Sequence, residues 1–215
     1  MTDVAQSPAA APTNRERVSR RQVDKFAERR AELAGAALQT LAELGYARTS
    51  LREIAQNTQF SHGVLHYYFS DKEDLITACV RQYKAECVKR YDAIVATATA
   101  PDELRAGFGA AMAGTLRDDA TLHRLWYDLR NQSQFEEKFR ADATDIDHSL
   151  ERMIWRIVSK YAELSGRDLA VTPALGYALL DGVFQHALLR HLSGDATAAE
   201  DLDAHVQQVL PTLLA

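Results

Sequence analysis

Cysteine and proline are scarce in this 215-residue chain, which has two of the first and five of the second. Cys79 and Cys87 read as lying on one helix, about 12 Å apart, too far for a disulfide. Reduced, buried thiols are therefore expected, as in a cytoplasmic protein. The prolines, at positions 8, 12, 101, 173 and 211, mark ends and joints and leave the long periodic stretches unbroken. No glycine-rich phosphate loop and no Gly-x-Ser-x-Gly occurs, nor any Cys-x-x-Cys or His-Glu-x-x-His, so neither a bound metal nor a cofactor is expected. The paired Glu-x-x-His motifs of a ferritin-like carboxylate enzyme are absent too. The opening Met1-Thr2-Asp3-Val4-Ala5 lacks the basic and apolar blocks of a signal peptide. The most apolar late segment, Leu175 to Leu192, is interrupted by Asp181, Gln185, His186 and Arg190, which argues against a membrane span.

What is present is a helical pattern with an uneven charge. Hydrophobic residues make up 47% of the chain and the formal net charge is −5, which by itself argues against a polyanionic partner. The distribution reverses that: residues 1–72 carry net +2 and residues 73–215 net −7. A basic end on an acidic body can orient a molecule on nucleic acid. Residues 1–22, rich in Ala, Pro, Ser, Thr and Arg, are expected to be disordered. They form either an arm that follows phosphates through Arg15, Arg17, Arg20 and Arg21 or a solvated tail. A helix from about Asp24 to Leu44 follows, with Leu33, Ala37, Leu41 and Leu44 inward and Gly45 as its stop.

Residues 45–76 carry the strongest local signal. Ser50 can accept from the N–H of Glu53, and Glu53 can reach back to the N–H of Ser50, opening a short helix with Leu51, Ile54 and Ala55 inward. After a turn of about four residues, Ser61 can cap a second short helix that buries Val64 and Leu65. The spacing is that of a helix-turn-helix, whose second helix enters the major groove. Its outward residues, Ser61, His62, His66 and Tyr67 with Tyr68 beyond, include no acid that phosphate would repel. Gly63 costs the helix about 1 kcal/mol, which close approach of backbone to DNA would explain. Ser70 and Glu73 read as the capping box of the next helix, with Lys72 in a first turn able to hold a phosphate.

On these residues the stretch from about Arg29 to Val80 resembles the N-terminal domain of TetR-type transcriptional regulators. The matches are Gly45, Tyr46, Thr49, Ser50, Ile54, Ala55, Ser61, Gly63, Leu65, Tyr68, Phe69, Lys72 and Leu75. The resemblance implies phosphate contacts from Ser50, Tyr68 and Lys72, and base or backbone contacts from Arg52, His62, Gly63 and Tyr67. His66 replaces a usual tyrosine, and histidine can still donate to phosphate. Gln59 and Phe60 replace a usual Gly-Val, and a positive φ at Gln59 would cost roughly 1 kcal/mol.

The rest reads as helix over roughly 71–98, 102–117, 120–132, 135–164, 173–193 and 198–214. An all-α chain is expected: a disordered arm (1–22), a three-helix helix-turn-helix domain (23–70) and a larger helical ligand-binding and dimerisation domain (71–215). Leu175, Leu179, Gly182, Val183, His186, Leu189 and Leu192, then Leu202, Val206, Val209, Leu210 and Leu213, form two wide stripes. A second copy is expected to complete a four-helix interface there, in line with the dimer the resemblance implies. Trp126 and Arg130 share a helix face, where an aromatic wall beside a guanidinium would hold a flat or anionic ligand, or where a core tryptophan simply adjoins a surface ion pair. Tyr83, Phe108, Met112, Trp155, Tyr177 and Phe184 are candidates for the same cavity, with His148 and His186 as polar additions. The expected function is a homodimeric regulator, most simply a repressor released from a near-palindromic DNA operator by a small-molecule effector. The alternatives are a regulator that needs no ligand or uses one as co-repressor, and a helical binding protein or enzyme with a vestigial DNA-binding head.

Overall fold

The computed structural model describes residues 14–46 and 49–215. Its elements are α1 (Asn14–Leu44), α2 (Leu51–Gln56), α3 (His62–Tyr68), α4 (Lys72–Thr97), α5 (Pro101–Gln132), a 3-10 turn (Glu137–Phe139), α6 (Arg140–Ser165), α7 (Pro173–Leu192) and α8 (Ala198–Thr212). Helix α1 begins well inside the stretch expected to be a disordered arm. From Asn14 to Ala34 no proline or glycine interrupts good helix formers such as Arg, Glu and Gln. Low apolar content decides whether a segment is buried, and here it did not prevent a helix. The remainder of the expected arm, residues 1–13, lies outside the described residues.

The first three helices close around Leu33, Ala37, Leu41, Ile54, Leu65 and Phe69, all buried. Phe60 is buried as well and plugs the turn between α2 and α3. That turn needs no left-handed residue: among the described residues only Gly45, Gly166 and Gly194 have positive φ, so Gln59 carries no backbone strain. Gly45 (φ 74°) ends α1 as expected. The start of α4 differs from expectation, because Asp71 rather than Ser70 is its N-cap and accepts from the Asp74 N–H at 2.8 Å. The Asp74 carboxylate accepts from the Ser70 N–H at 3.1 Å. Aspartate outdoes serine here because a charged oxygen at the positive end of the helix gains from the dipole as well as from the hydrogen bond.

Helix α4 packs on α1 on one side and on α5 and α6 on the other, so one rigid element serves both the head and the body. The two helices expected at 102–117 and 120–132 are the two halves of α5, which meet at a kink at Asp119 (φ −121°, ψ 17°), where the break was expected. Arg90 of α4 reaches that break and pairs with Asp119 at 2.7 Å. Helix α6 starts at Arg140, later than expected, after the 3-10 turn.

The two apolar stripes of α7 and α8 have different fates. Leu202, Val206, Leu210 and Leu213 are fully buried within the chain, where α8 lies along α5. By contrast Leu175, Leu179, Leu189 and Leu192 of α7 are exposed, at 50%, 42%, 66% and 43%. Spacings of four, three, four, three and three residues put them with Gly182 and His186 along one side of the helix. No helix among the described residues is long and apolar enough to cross a membrane.

The α5–α8 contact depends on Gly109. A Cβ there would stand 2.1 Å from the Asp203 Oδ1 and 3.2 Å from the Asp203 carbonyl. Overpacking of this kind costs about 1–3 kcal/mol against a helix-propensity gain of about 1 kcal/mol. Gly109→Ala is expected to lower the urea midpoint of unfolding, with a net loss of about 1 kcal/mol.

Candidate nucleic-acid interface and interior cavity

Helix α3 is held by its ends and by α1. Ser61 caps it, accepting from the Val64 N–H at 3.3 Å, and Leu65 is its buried anchor. Ser50 caps α2, accepting from the Glu53 N–H at 3.2 Å. The reciprocal bond differs from the expected box, since Glu53 Oε2 accepts the Ser50 hydroxyl rather than its N–H. On the outer face Arg52, Ser61, His62, Gly63, His66 and Tyr67 are all exposed, Tyr67 at 72%. A Cβ on Gly63 would meet nothing within 4 Å, so nothing in the described part of the chain requires glycine there. Phe26 of α1 stacks against Tyr68 at 4.7 Å between ring centroids and meets Tyr67 edge-on at 6.1 Å. Arg30 donates to the Tyr68 carbonyl at 2.6 Å, pairs with Asp74 and lies over the Phe69 ring. These contacts fix the end of α3 to α1 and α4. His62 and His66 stand four residues apart with rings 4.4 Å apart, a metal-type spacing that the sequence analysis passed over. No group of three potential ligands lies around them or anywhere among the described residues.

Lys72 has a second role that the sequence did not disclose. Its ammonium donates to the Tyr46 carbonyl at 3.2 Å and lies 4.2 Å from the centre of the Tyr46 ring. The Tyr46 hydroxyl donates towards Glu73 (3.1 Å) and Glu136 (3.3 Å), which share Lys138 as a counter-ion. Burial together with these carboxylates pushes the Tyr46 phenol far above its ordinary range. Half-buried Lys72 therefore stands at the joint between head and body as well as at the edge of the exposed face.

Within the body, α4, α5, α6 and α7 enclose a narrow cavity of about 60 Å³. Of the expected ligand residues, Phe108, Met112, Trp126, Tyr177 and Phe184 line it. Three do not. Tyr83 is buried beside His123, Trp155 is only half-buried on α6, and Arg130 sits behind the wall, paired with the lining residue Asp181 at 2.6 Å and with Asp147 at 3.4 Å. Spacing alone put Trp126 and Arg130 together, but the two carboxylates on α6 and α7 hold the guanidinium elsewhere. His148 faces a separate surface groove between α4 and α6, and His186 is exposed on α7.

The sequence reading missed the polar heart of the cavity, Lys84 and His123. Lys84 Nζ lies 3.0 Å from His123 Nδ1, and the two side chains are 4% and 7% exposed. Because the lysine donates, the imidazole proton sits on Nε2, which has no partner among the described residues. The Trp126 indole N–H is also buried without a partner among them. Burial, then the neighbouring charges of Lys84 and Arg90, hold the His123 imidazole well below its usual range, and burial pushes the Lys84 ammonium down to about 8. The one available signal was a lysine at a position where helix periodicity points inward, but a long side chain there more often reaches out to solvent.

A compact three-helix head with a capped, exposed reading helix, set on a helical body with an internal cavity, defines a helix-turn-helix transcriptional regulator. Comparison with known proteins agrees: residues 33–79 match the family described as bacterial regulatory proteins, tetR family. The HTH-type transcriptional regulator BetI of Burkholderia thailandensis is 30% identical over 180 residues, spanning 80% of this chain and 87% of the relative. The chain belongs to the TetR family of DNA-binding transcriptional regulators. The fold is shared with a TetR transcription regulator from Haloarcula marismortui (TM-score 0.71, 19% identity, 88% of this chain and all of that one). It is shared too with the regulator FadR from Bacillus subtilis in complex with stearoyl-CoA (TM-score 0.65, 18% identity, 83% and 95%).

The buried lysine has a measurable consequence. Between about pH 8 and 10.5 the unfolded chain holds a proton at Lys84 that the folded chain has released, so the contribution of Lys84 to stability rises with pH across that window. Burial pushes the Tyr91 phenol up to about 12, so buried tyrosine acts in the opposite direction only where an unfolded tyrosine ionises, near pH 10. The Cys79 thiol, which burial holds far above its ordinary range, acts in the opposite direction once an unfolded thiol ionises, above about pH 8.5, so the lysine is read as a difference between two proteins. Between about pH 7.5 and 9.5 the stability of the wild type measured in urea is expected to gain of the order of 1–3 kcal/mol relative to that of Lys84→Met.

Proposed function

We propose that the protein acts as a homodimeric repressor that binds a near-palindromic operator through two α3 helices and is released by a small molecule entering the body cavity. The observation that carries this is the α3 face, where Ser61, His62, Gly63, His66 and Tyr67 are exposed together and a glycine stands with open space before it. Ser50, Arg52, Tyr68 and Lys72 flank that face and are assigned phosphate and edge contacts. The exposed leucines of α7 are assigned to the dimer interface, with the paired heads about one helical turn or a multiple apart on DNA. No catalytic role is assigned, and the relatives are regulators.

Release follows from the sharing of α4. Lys84 and Cys87 line the cavity while Lys72 and Glu73 at the start of the same helix hold Tyr46. A ligand that shifts α4 moves the heads out of register, and by linkage operator DNA weakens ligand binding by the same factor. FadR, with stearoyl-CoA in its complex, gives a precedent for a small-molecule ligand on this fold.

Two variants separate DNA contact from folding. Gly63→Ala should leave the protein equally stable or up to about 1 kcal/mol more stable, yet weaken operator binding in a fluorescence-anisotropy titration. Tyr67→Ala should change sequence preference by about 1–3 kcal/mol at one base position, whereas Lys72→Ala should weaken binding to all sequences and reduce the salt slope by about 1. Unchanged affinity in Gly63→Ala and Tyr67→Ala would refute the assigned reading face. For the dimer, Leu189→Glu should halve the mass measured by light scattering while circular dichroism stays helical. A wild-type protein that is already monomeric refutes that interface.

A further inference from the structure

Three buried groups line one cavity with too few acceptors among them. Lys84, His123 and Trp126 all line the cavity, and each presents a donor: an ammonium, the Nε2–H left over once Nδ1 accepts from lysine, and an indole N–H. Lys84 Nζ lies over the rings of Tyr83 and Trp126, at 5.5 and 5.6 Å from their centres, and makes no ion pair with a carboxylate among the described residues. The nearby carboxylate, Asp181, already accepts from the Tyr127 hydroxyl at 2.9 Å and from Arg130 at 2.6 Å. A buried cation without a counter-ion and buried donors without acceptors are each destabilising, so this arrangement lacks an anion.

We infer that the cavity takes a small organic monocarboxylate, whose carboxylate pairs with Lys84 and accepts from His123 Nε2 and Trp126 Nε1 while its apolar body lies among Phe108, Met112 and Met153. This rests on the reading of the body as an effector domain and supplies the chemical class. One cation matches one negative charge, and a phosphate monoester would bring a second charge with nothing opposite it. Aromatic walls alone would also suit a quaternary ammonium, but the Lys84 charge repels one. The surface groove on the α4–α6 side of Lys84 is lined by Arg81, Asp145, His148 and Arg152, with Arg81 paired to Asp142 and, at 3.5 Å, to Asp145. The unoccupied space, about 60 Å³, is smaller than a ligand body. The two methionines are flexible enough to repack around one.

The charged and titratable groups around Lys84 are Arg81, Tyr83, Cys87, Arg90 and Tyr91 on α4, Asp119, His123 and Tyr127 on α5, Asp145, His148 and Arg152 on α6, and Tyr177 and Asp181 on α7. An aliphatic acid stays ionised throughout the neutral and alkaline range, so loss of the Lys84 proton governs its affinity there. Binding should weaken about tenfold per pH unit above about pH 8.

The test is calorimetric titration of the full chain with straight-chain carboxylates from butyrate to octanoate and with phenylacetate. Each acid is compared with its primary amide, and benzyltrimethylammonium serves as the cationic probe. At least one acid should bind tenfold or more tighter than its amide, lose affinity above about pH 8, and lose tenfold or more in Lys84→Met. Equal affinity for acid and amide, preference for the ammonium, full retention of acid affinity in Lys84→Met, or no acid binding at millimolar concentration would each overturn the inference. The acid–amide and pH comparisons use wild-type protein and stand whether or not the variant folds. Operator affinity measured alongside keeps the two claims apart. An acid that binds without changing operator affinity refutes release and leaves the ligand class intact. A neutral or cationic probe that binds and releases the operator does the reverse.

Discussion

The end of α1 is the constraint on which the rest of the molecule depends. A helix that stops inside a protein leaves carbonyls without partners, and each must find a donor. Here Arg124 of α5 donates to the Ala42 carbonyl at 2.6 Å, Asp128 accepts the Tyr46 N–H at 3.1 Å, and Lys72 donates to the Tyr46 carbonyl. The Gly45 N–H to the Leu41 carbonyl (2.8 Å) and the Thr49 hydroxyl to the Gly45 carbonyl (2.6 Å) close part of the helix end locally, and the other partners come from the body or from the base of α4. The head is thus docked on the body by the same bonds that finish its first helix, and neither can shift while the other stays satisfied.

Helix α4 turns that docking into a mechanical link. It carries Lys72 and Glu73 at the joint and Lys84, Cys87 and Tyr91 along the cavity wall. The Cys79 thiol, buried between them, donates to the Ala34 carbonyl of α1 at 3.1 Å, and burial holds its pKa far above the usual range. Close-packed contacts of this kind move as a unit rather than deforming. The cavity end is the less satisfied of the two, with Lys84, His123 and Trp126 short of acceptors, and is therefore where a ligand can do most to shift the balance.

Local chemistry was legible where neighbours in sequence are neighbours in space. The caps at Ser50 and Ser61, the stop at Gly45, and the inward faces of α2 and α3 all follow from residues within one or two turns. The choice of Asp71 over Ser70 was the subtler case, since both precede α4 and only the helix dipole separates them. The helical start of α1 was missed because an apolar-poor segment can still be helical. Five cavity residues were recognisable as large apolar side chains on helices, but Arg130 was misplaced because Asp147 and Asp181, on helices α6 and α7, decide where it points.

Length, periodicity and capping residues were enough to determine an all-helical chain with a compact reading head, because each depends on contacts within a few residues. Which stripe of the last two helices stays exposed, that Lys72 belongs to a joint, and that Lys84 and His123 meet inside the body were decided only by tertiary packing. The reason is one of distance along the chain: those pairings join α4 to α5 and α5 to α8, and nothing in a local pattern records which helix will lie beside which.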